Sequence, residues 1–291
     1  MSLEDSRRDA AGAQVPVGLR THLAHAALQI IAEDAGVDVL HVKGAAVDPS
    51  IGRPLTASTD ADVLVRPTQV RPFLDALARH DWEHVTSFAT GSAFEHAATF
   101  YHPSWGYTDV HRSFPGLTAG AWFDILWRGR TTTPIAGVPC TVPDLTSQRL
   151  LLLLHLARNG KGEEDPDYER AWGCLSAQER VGLRAAAHAL GADVGLAAAL
   201  GELDRYTDDP SYDLWRVFSE GEHTRLAEWR ARLKAAPTLA AKGRILLRAP
   251  LVNTDHLAMR LGRRPTRGEV LAEFRHRLVE AARETKAAIR R

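Results

Sequence analysis

Two carboxylates, Asp60 and Asp62, stand two residues apart at the start of an apolar run, Val63-Leu64-Val65. In a strand, residues i and i+2 face the same way, so this pair would project side by side. Anions held that close repel each other, and a bound cation is the usual remedy. A third acid, Asp109, occurs in a second strand-like segment, Tyr107-Thr108-Asp109-Val110-His111. Three carboxylates converging from two strands are what two-Mg²⁺ phosphoryl or nucleotidyl transfer requires.

The remaining parts of such chemistry can be named residue by residue. Asp60 and Asp62 would hold both metals, and Asp109 would bind the metal at the nucleophile and accept its proton. Lys43-Gly44 follows a short apolar segment, Val37–Val42. Backbone N–H groups around Gly44 can cradle the β- and γ-phosphates, with Lys43 and Arg53 or Arg112 adding positive charge. Ser58, Thr59 and His111 complete the expected nucleotide-binding set. Each part alone has a plainer reading. A D-x-D can be a solvated turn-to-strand junction, and Asp109 beside His111 and Arg112 can be a surface ion pair. His111 can equally be a satisfied, partly buried imidazole. The ordered combination is more specific than any member.

Elements must bring these residues together. Leu19, Leu23, Ala27, Ile30 and Ile31 have helical spacing and end at Gly36. Val37–Val42 and Asp62–Arg66 read as strands, and Thr68 as the N-cap of a helix through His80. Trp82–His111 reads as several strands, among them 93–102 and Tyr107–His111. A short amphipathic helix falls within Phe114–Arg128, and Thr131–Val142 alternates as a hairpin around Gly137. Asp144 should cap a long apolar helix containing Leu150–Leu154, and the chain reads as helical from there to its end. The expectation is an α+β protein: a leader over 1–18, a mixed β-sheet with flanking helices over 19–143, and an all-helical domain over 144–291.

Composition bounds the partners. The 291 residues carry a formal net charge of zero, which disfavours nucleic acid as a partner. Arginines 260, 263, 264 and 267 are either a local basic patch or a solvated helix end. Of five lysines, Lys43 alone lies in the first 160 residues. The two cysteines, Cys140 and Cys174, have no metal-ligand or disulfide spacing. No run reaches transmembrane length and no signal peptide is visible, so the cytoplasm is expected.

The segments His41-Val42-Lys43-Gly44-Ala45-Ala46, Asp60-Ala61-Asp62-Val63-Leu64-Val65 and Asp109-Val110-His111-Arg112 resemble the uncharacterised nucleotidyltransferase family of the DNA polymerase beta-like superfamily. Leu151-Leu152-Leu153-Leu154-His155 is similar to that family's apolar helix with an embedded histidine. The resemblance covers about residues 20–160. It implies a nucleotidyltransferase-like sheet, two Mg²⁺ ions with Mn²⁺ as a substitute, and a nucleoside triphosphate co-substrate. The nucleotide would go to a hydroxyl, phosphate or amine of a small-molecule or protein acceptor. The alternative is a non-catalytic nucleotide- or protein-binding module that keeps the fold. Two departures stand out. Arg53 lies seven residues before Asp60, further than the family's arginine. Residues 160–168 form an acidic, glycine-containing insert, either a solvated loop or a substrate-facing segment with Lys161 near the phosphates. His155 is either a buried helix histidine or a site residue.

Overall fold

The computed structural model describes residues 15–51, 58–90, 94–221, 224–236, 238–248, 252–261, 263 and 265–289. Arg53, Arg264 and most of the expected leader lie outside them. Helix α1 spans Val17–Asp34, and its Ala24, Leu28, Ile31 and Ala32 form one buried stripe at helical spacing. It ends before Gly36, whose φ of +64° turns the chain into strand β1, Val39–Val42.

The main sheet contains β1, β2 (Asp60–Val65), β3 (Glu83–His84), β4 (Ala97–His102) and β5 (Gly106–His111). Their order is β1-β2-β5-β4-β3. Among the described strands only the β2–β5 pair is parallel, so the sheet is mixed. Helix α2, Val70–Arg79, packs with α1 on one face, where Phe73, Ala76 and Leu77 meet Ala61, Val63, Val65 and Val110. Thr68 does not cap α2. A 3₁₀ turn over Pro67–Gln69 precedes it, and the Gln69 side chain is drawn instead to the Asp38 N–H at 2.8 Å. The strand expected from residue 93 begins at Ala97. Before it, the Phe94 ring leaves the sheet and packs 4.8 Å from the Phe218 ring of the helical half.

Helix α3, Trp122–Arg128, and the hairpin of β6 (Thr131–Ile135) and β7 (Val138–Val142) lead to α4, Leu145–Arg158. Asp144 caps α4 as expected, its Oδ1 accepting from Ser147 N at 2.9 Å. Leu150, Leu151, Leu153 and Leu154 of α4 share one core with Leu40, Val42 and Leu64 from the sheet's second face. The same core takes in α5 (Ala177–Leu190), α6 (Asp193–Ala199) and α7 (Tyr212–Ser219) through Leu183, Leu196 and Trp215. Helices continue over Arg225–Ala235, Leu239–Arg248, Thr254–Leu261 and Arg267–Ile289. No described helix is long and apolar enough to cross a membrane. Arg260 and Arg263 pair with Glu273 and Glu269, the arrangement of a solvated helix end.

A buried polar chain fastens β1 to α1. His41 donates from Nε2 to Gln29 Oε1 at 3.0 Å, so its Nδ1 is the acceptor facing His25 Nδ1 at 2.8 Å. Burial lowers the His41 pKa well below its ordinary value and brings that of His25 down to about 4, so both rings are neutral. The consequence is that β1 enters the site at a fixed height, two residues before Lys43.

Candidate active site

Alternation decides which side chains face α4. Val42 pairs with Asp62 across β1 and β2, and Asp62 with Asp109 across β2 and β5. Asp60, Asp62, Leu64, Asp109 and His111 therefore share the sheet face opposite α1. The apolar end of that face meets the leucines of α4, and the acidic end opens into a cleft of about 840 Å³. The cleft is lined by Asp60, Asp62 and Asp109 on one side and by His155, Arg158 and Lys161 on the other.

Asp62 is buried and tightly held. Lys43 Nζ donates to its Oδ1 at 2.5 Å and His111 Nε2 to the same oxygen at 2.6 Å. Burial alone would raise the Asp62 carboxyl, but the Lys43 ammonium and the His111 N–H outweigh it and hold it well below the carboxylate range. His111 is fully buried, and burial together with Lys43 lowers its pKa. With Nε2 donating, its Nδ1 has no partner among the described residues. Asp109 accepts from Thr99 Oγ1 at 2.7 Å on Oδ1.

Asp60 behaves differently. Burial, then the nearby Asp62 and Asp109 carboxylates, raise its pKa to about 6. Crowded carboxylates whose Oδ2 atoms, at Asp62 and Asp109, take no hydrogen bond among the described residues are a donor set that fits a hard divalent cation. Ligand atoms of Asp62, Asp109 and His111 lie within 4.8 Å of one another. With His111 Nε2 carrying the proton it donates to Asp62, the two carboxylates are the members of this group that can meet a cation. Asp60 lies outside that group but lines the same cleft.

The turn after β1 is strained. Lys43 has φ 60° and ψ −178°, backbone that is almost confined to glycine. Gly44 follows at φ +47°, and a Cβ there would stand 2.6 Å from Ser58 Oγ. Ser58 Oγ in turn donates to the Asp60 carbonyl at 2.8 Å. Glycine thus lets the Lys43 turn and the start of β2 approach closely.

The expected set is only partly assembled. Lys43, Gly44, Ser58, Thr59, Asp60, Asp62 and Asp109 line the cleft. His111 sits behind Asp62. Arg112 does not line it; its Nε donates to the Glu95 carbonyl at 2.9 Å and its guanidinium stacks 4.8 Å from the Phe88 ring. A strand residue one beyond His111 faces the other way, which the D-x-H-R spelling already implied.

The helical wall supplies residues that the acidic motifs did not point to. Arg158 lies one turn after His155 on α4 and faces the acids across the cleft. His96, just before β4, completes that layer, with its ring 5.1 Å from the His111 ring. The i, i+3 spacing of His155 and Arg158 was the available signal. The 160–168 insert is not a plain solvated loop: Asp165, Asp167 and Tyr168 are buried, and Lys161 and Asp167 line the cleft.

No protein-family model matches the chain, and no curated protein matches it. Solved structures similar to part of it include the following two. The antibiotic-resistance factor ANT(2'')-Ia is 14% identical over 59% of this chain and 92% of that chain, with a TM-score of 0.39. An antigenic nucleotidyltransferase-like protein from Paracoccidioides brasiliensis is 15% identical over 58% of this chain and 93% of that chain, with a TM-score of 0.35. Similarity of this degree carries no argument about chemistry, which stands on the residues of the cleft.

Proposed function

We propose that this protein is a divalent-metal-dependent nucleotidyltransferase. It would move a nucleoside monophosphate from a triphosphate to a hydroxyl, phosphate or amine of a small-molecule or protein acceptor. The observation that carries the reading is the in-register pair Asp62 and Asp109 on parallel strands, with Asp60 beside them at the rim of the cleft. Asp60, Asp62 and Asp109 would hold Mg²⁺, or Mn²⁺ in its place, whose chemistry is to neutralise the triphosphate and make the acceptor hydroxyl more acidic.

The chain's own groups have separable tasks. Asp109, fixed by Thr99, takes the proton of the acceptor as the acceptor atom bonds to the α-phosphorus. The bond from that phosphorus to its bridging oxygen breaks, and pyrophosphate leaves. His111 keeps Asp62 ionised and oriented through its Nε2–H. Gly44 permits the close turn at which backbone N–H groups can meet the outer phosphates. Leu152, Leu156 and Ile51 line the cleft as apolar surface for the acceptor or base.

One observation favours a second reading, a binding module without turnover. Lys43 at 2.5 Å already supplies Asp62 with a positive charge from the chain itself. A module of that kind gains nothing from keeping Asp60 and Asp109 in mutual repulsion, and the first reading is preferred for that reason. Pyrophosphate release on mixing the protein with each nucleoside triphosphate and Mg²⁺ separates the two. Mass spectrometry of candidate acceptors, and of the protein itself, identifies what is modified. Binding with no pyrophosphate from any triphosphate would replace the first reading with the second.

A further inference from the structure

Among the described residues, Arg158 is the cation of the cleft that has no carboxylate partner. Its Nη1 donates to His96 Nε2 at 2.7 Å and its Nη2 to His155 Nδ1 at 3.1 Å. Both partners are imidazoles. Burial first, and then the nearby His111 and Arg158 charges, lower the His96 pKa far below its ordinary value. Burial and the Lys43 ammonium bring His155 down to about 3. Two neutral rings can orient a guanidinium but cannot neutralise it.

Among the described residues, no carboxylate forms an ion pair with Arg158. Burial lowers its pKa, opposed by the more distant Asp62 and Asp109 across the cleft. A largely buried cation without an anion is costly unless something supplies the charge. Among the described residues, the other cations near the acids are committed elsewhere. Lys43 is on Asp62, Lys161 is on Asp165 at 2.9 Å, and Arg170 is on Asp167 at 3.1 Å. Arg112 is turned to Glu95 and Phe88. A guanidinium has five N–H donors, and two partners leave Arg158 with donors to spare on the cleft wall.

We propose that Arg158 binds the polyphosphate of the nucleotide, and that His96 and His155 are positioning residues that hold its guanidinium while leaving its charge unspent. The proposal rests on the nucleotidyltransferase reading and replaces Lys43 and Arg112 as the principal phosphate-binding cation. Imidazoles suit the task better than carboxylates. An aspartate in either place would orient the guanidinium equally well but would compete with the phosphate for it.

Calorimetric titration of the full chain with Mg²⁺-tripolyphosphate tests this without turnover. Arg158→Gln should weaken binding about tenfold to a hundredfold, as loss of a charge-assisted pair does. Arg158→Lys should lose less, and adenosine binding should not change. His155→Leu should also weaken tripolyphosphate binding, and His155→Gln, which restores an acceptor, should recover most of it. Equal affinity in wild type and Arg158→Gln would overturn the proposal while leaving the nucleotidyltransferase reading in place. Wild type that releases no pyrophosphate from any triphosphate, yet binds tripolyphosphate through Arg158, would support the subsite and sink the reading. Wild type that binds no tripolyphosphate would overturn the proposal. If Arg158→Gln does not fold, phenylglyoxal modification of wild type decides. Mg²⁺-tripolyphosphate should protect the peptide carrying Arg158, and modification at an undiminished rate would overturn the assignment.

Discussion

Asp62 and Asp109 stand side by side on neighbouring strands, yet their surroundings predict different consequences for the same substitution. Asp62 accepts from Lys43 and His111 in a buried position, so Asp62→Asn strips two donors of their anion. It should abolish transfer and also destabilise the fold by about 3 kcal/mol, the usual cost of breaking one half of a buried pair. Asp109 accepts a single hydroxyl, so Asp109→Asn should abolish transfer with little change in melting temperature. Comparing pyrophosphate release with thermal melts for both variants checks this; a stable Asp62→Asn would show that the Lys43 pair contributes little. Asp60 carries the opposite sign. An unfolded aspartate ionises near 3.8, whereas Asp60 holds its proton to about 6. Its contribution to stability is therefore full below pH 3.8 and is lost as pH rises through 6. In metal-free protein, Asp60→Asn should raise stability at pH 8 by up to about 3 kcal/mol and much less at pH 4. Urea unfolding at the two pH values, with and without Mg²⁺, measures it, and an equal gain at both would refute the cause.

At the scale of elements, the turn between β1 and its 3₁₀ extension, Gly44–Ala46, is the part most exposed to substitution. Gly44→Ala meets both a positive φ and the Ser58 hydroxyl at 2.6 Å. The expected cost is about 1–3 kcal/mol, and the start of β2 should shift with it. Gly44→Ala combined with Ser58→Gly removes the steric conflict but not the φ penalty. The double variant should recover part of the loss in a thermal melt, and no recovery would place the whole penalty in the backbone. Strand β1 itself is held from behind by His41, Gln29 and His25, so a change in α1 reaches Lys43 without touching the cleft.

For the whole molecule, buried neutral histidines dominate the response to acid. His25 ionises near 4 and His155 near 3 in the folded chain, and burial lowers His41 and His96 as well. Unfolded histidine takes up a proton near 6.5, so each contribution is full above that pH and declines as pH falls toward the folded value. Four such groups outweigh Asp60, whose slope opposes theirs over the same range. The melting temperature should therefore fall from pH 7 to pH 5; a flat or rising trend would mean these rings are hydrated or already charged. Because α4 shares its core with both β1–β2 and the helices behind it, unfolding monitored at Trp215 and at Trp82 should coincide.

The acids were legible in the sequence because their spacing is a strand period, and the period alone puts Asp60 with Asp62 and Asp109 with His111 on shared faces. The cap at Asp144, the hairpin over 131–142 and the helical second half were equally local, set by turn chemistry and by the repeat of apolar residues. What no local pattern contained was the parallel register of β2 on β5, which places Asp62 opposite Asp109 across two non-consecutive strands. Nor could spacing reveal that Lys43 is spent on Asp62, or that Arg158 crosses to face the acids between two imidazoles. Local sequence sets which way a side chain faces along its own element. Which charge then finds a partner, and which is left for a ligand, depends on distances between elements that only the packed chain fixes.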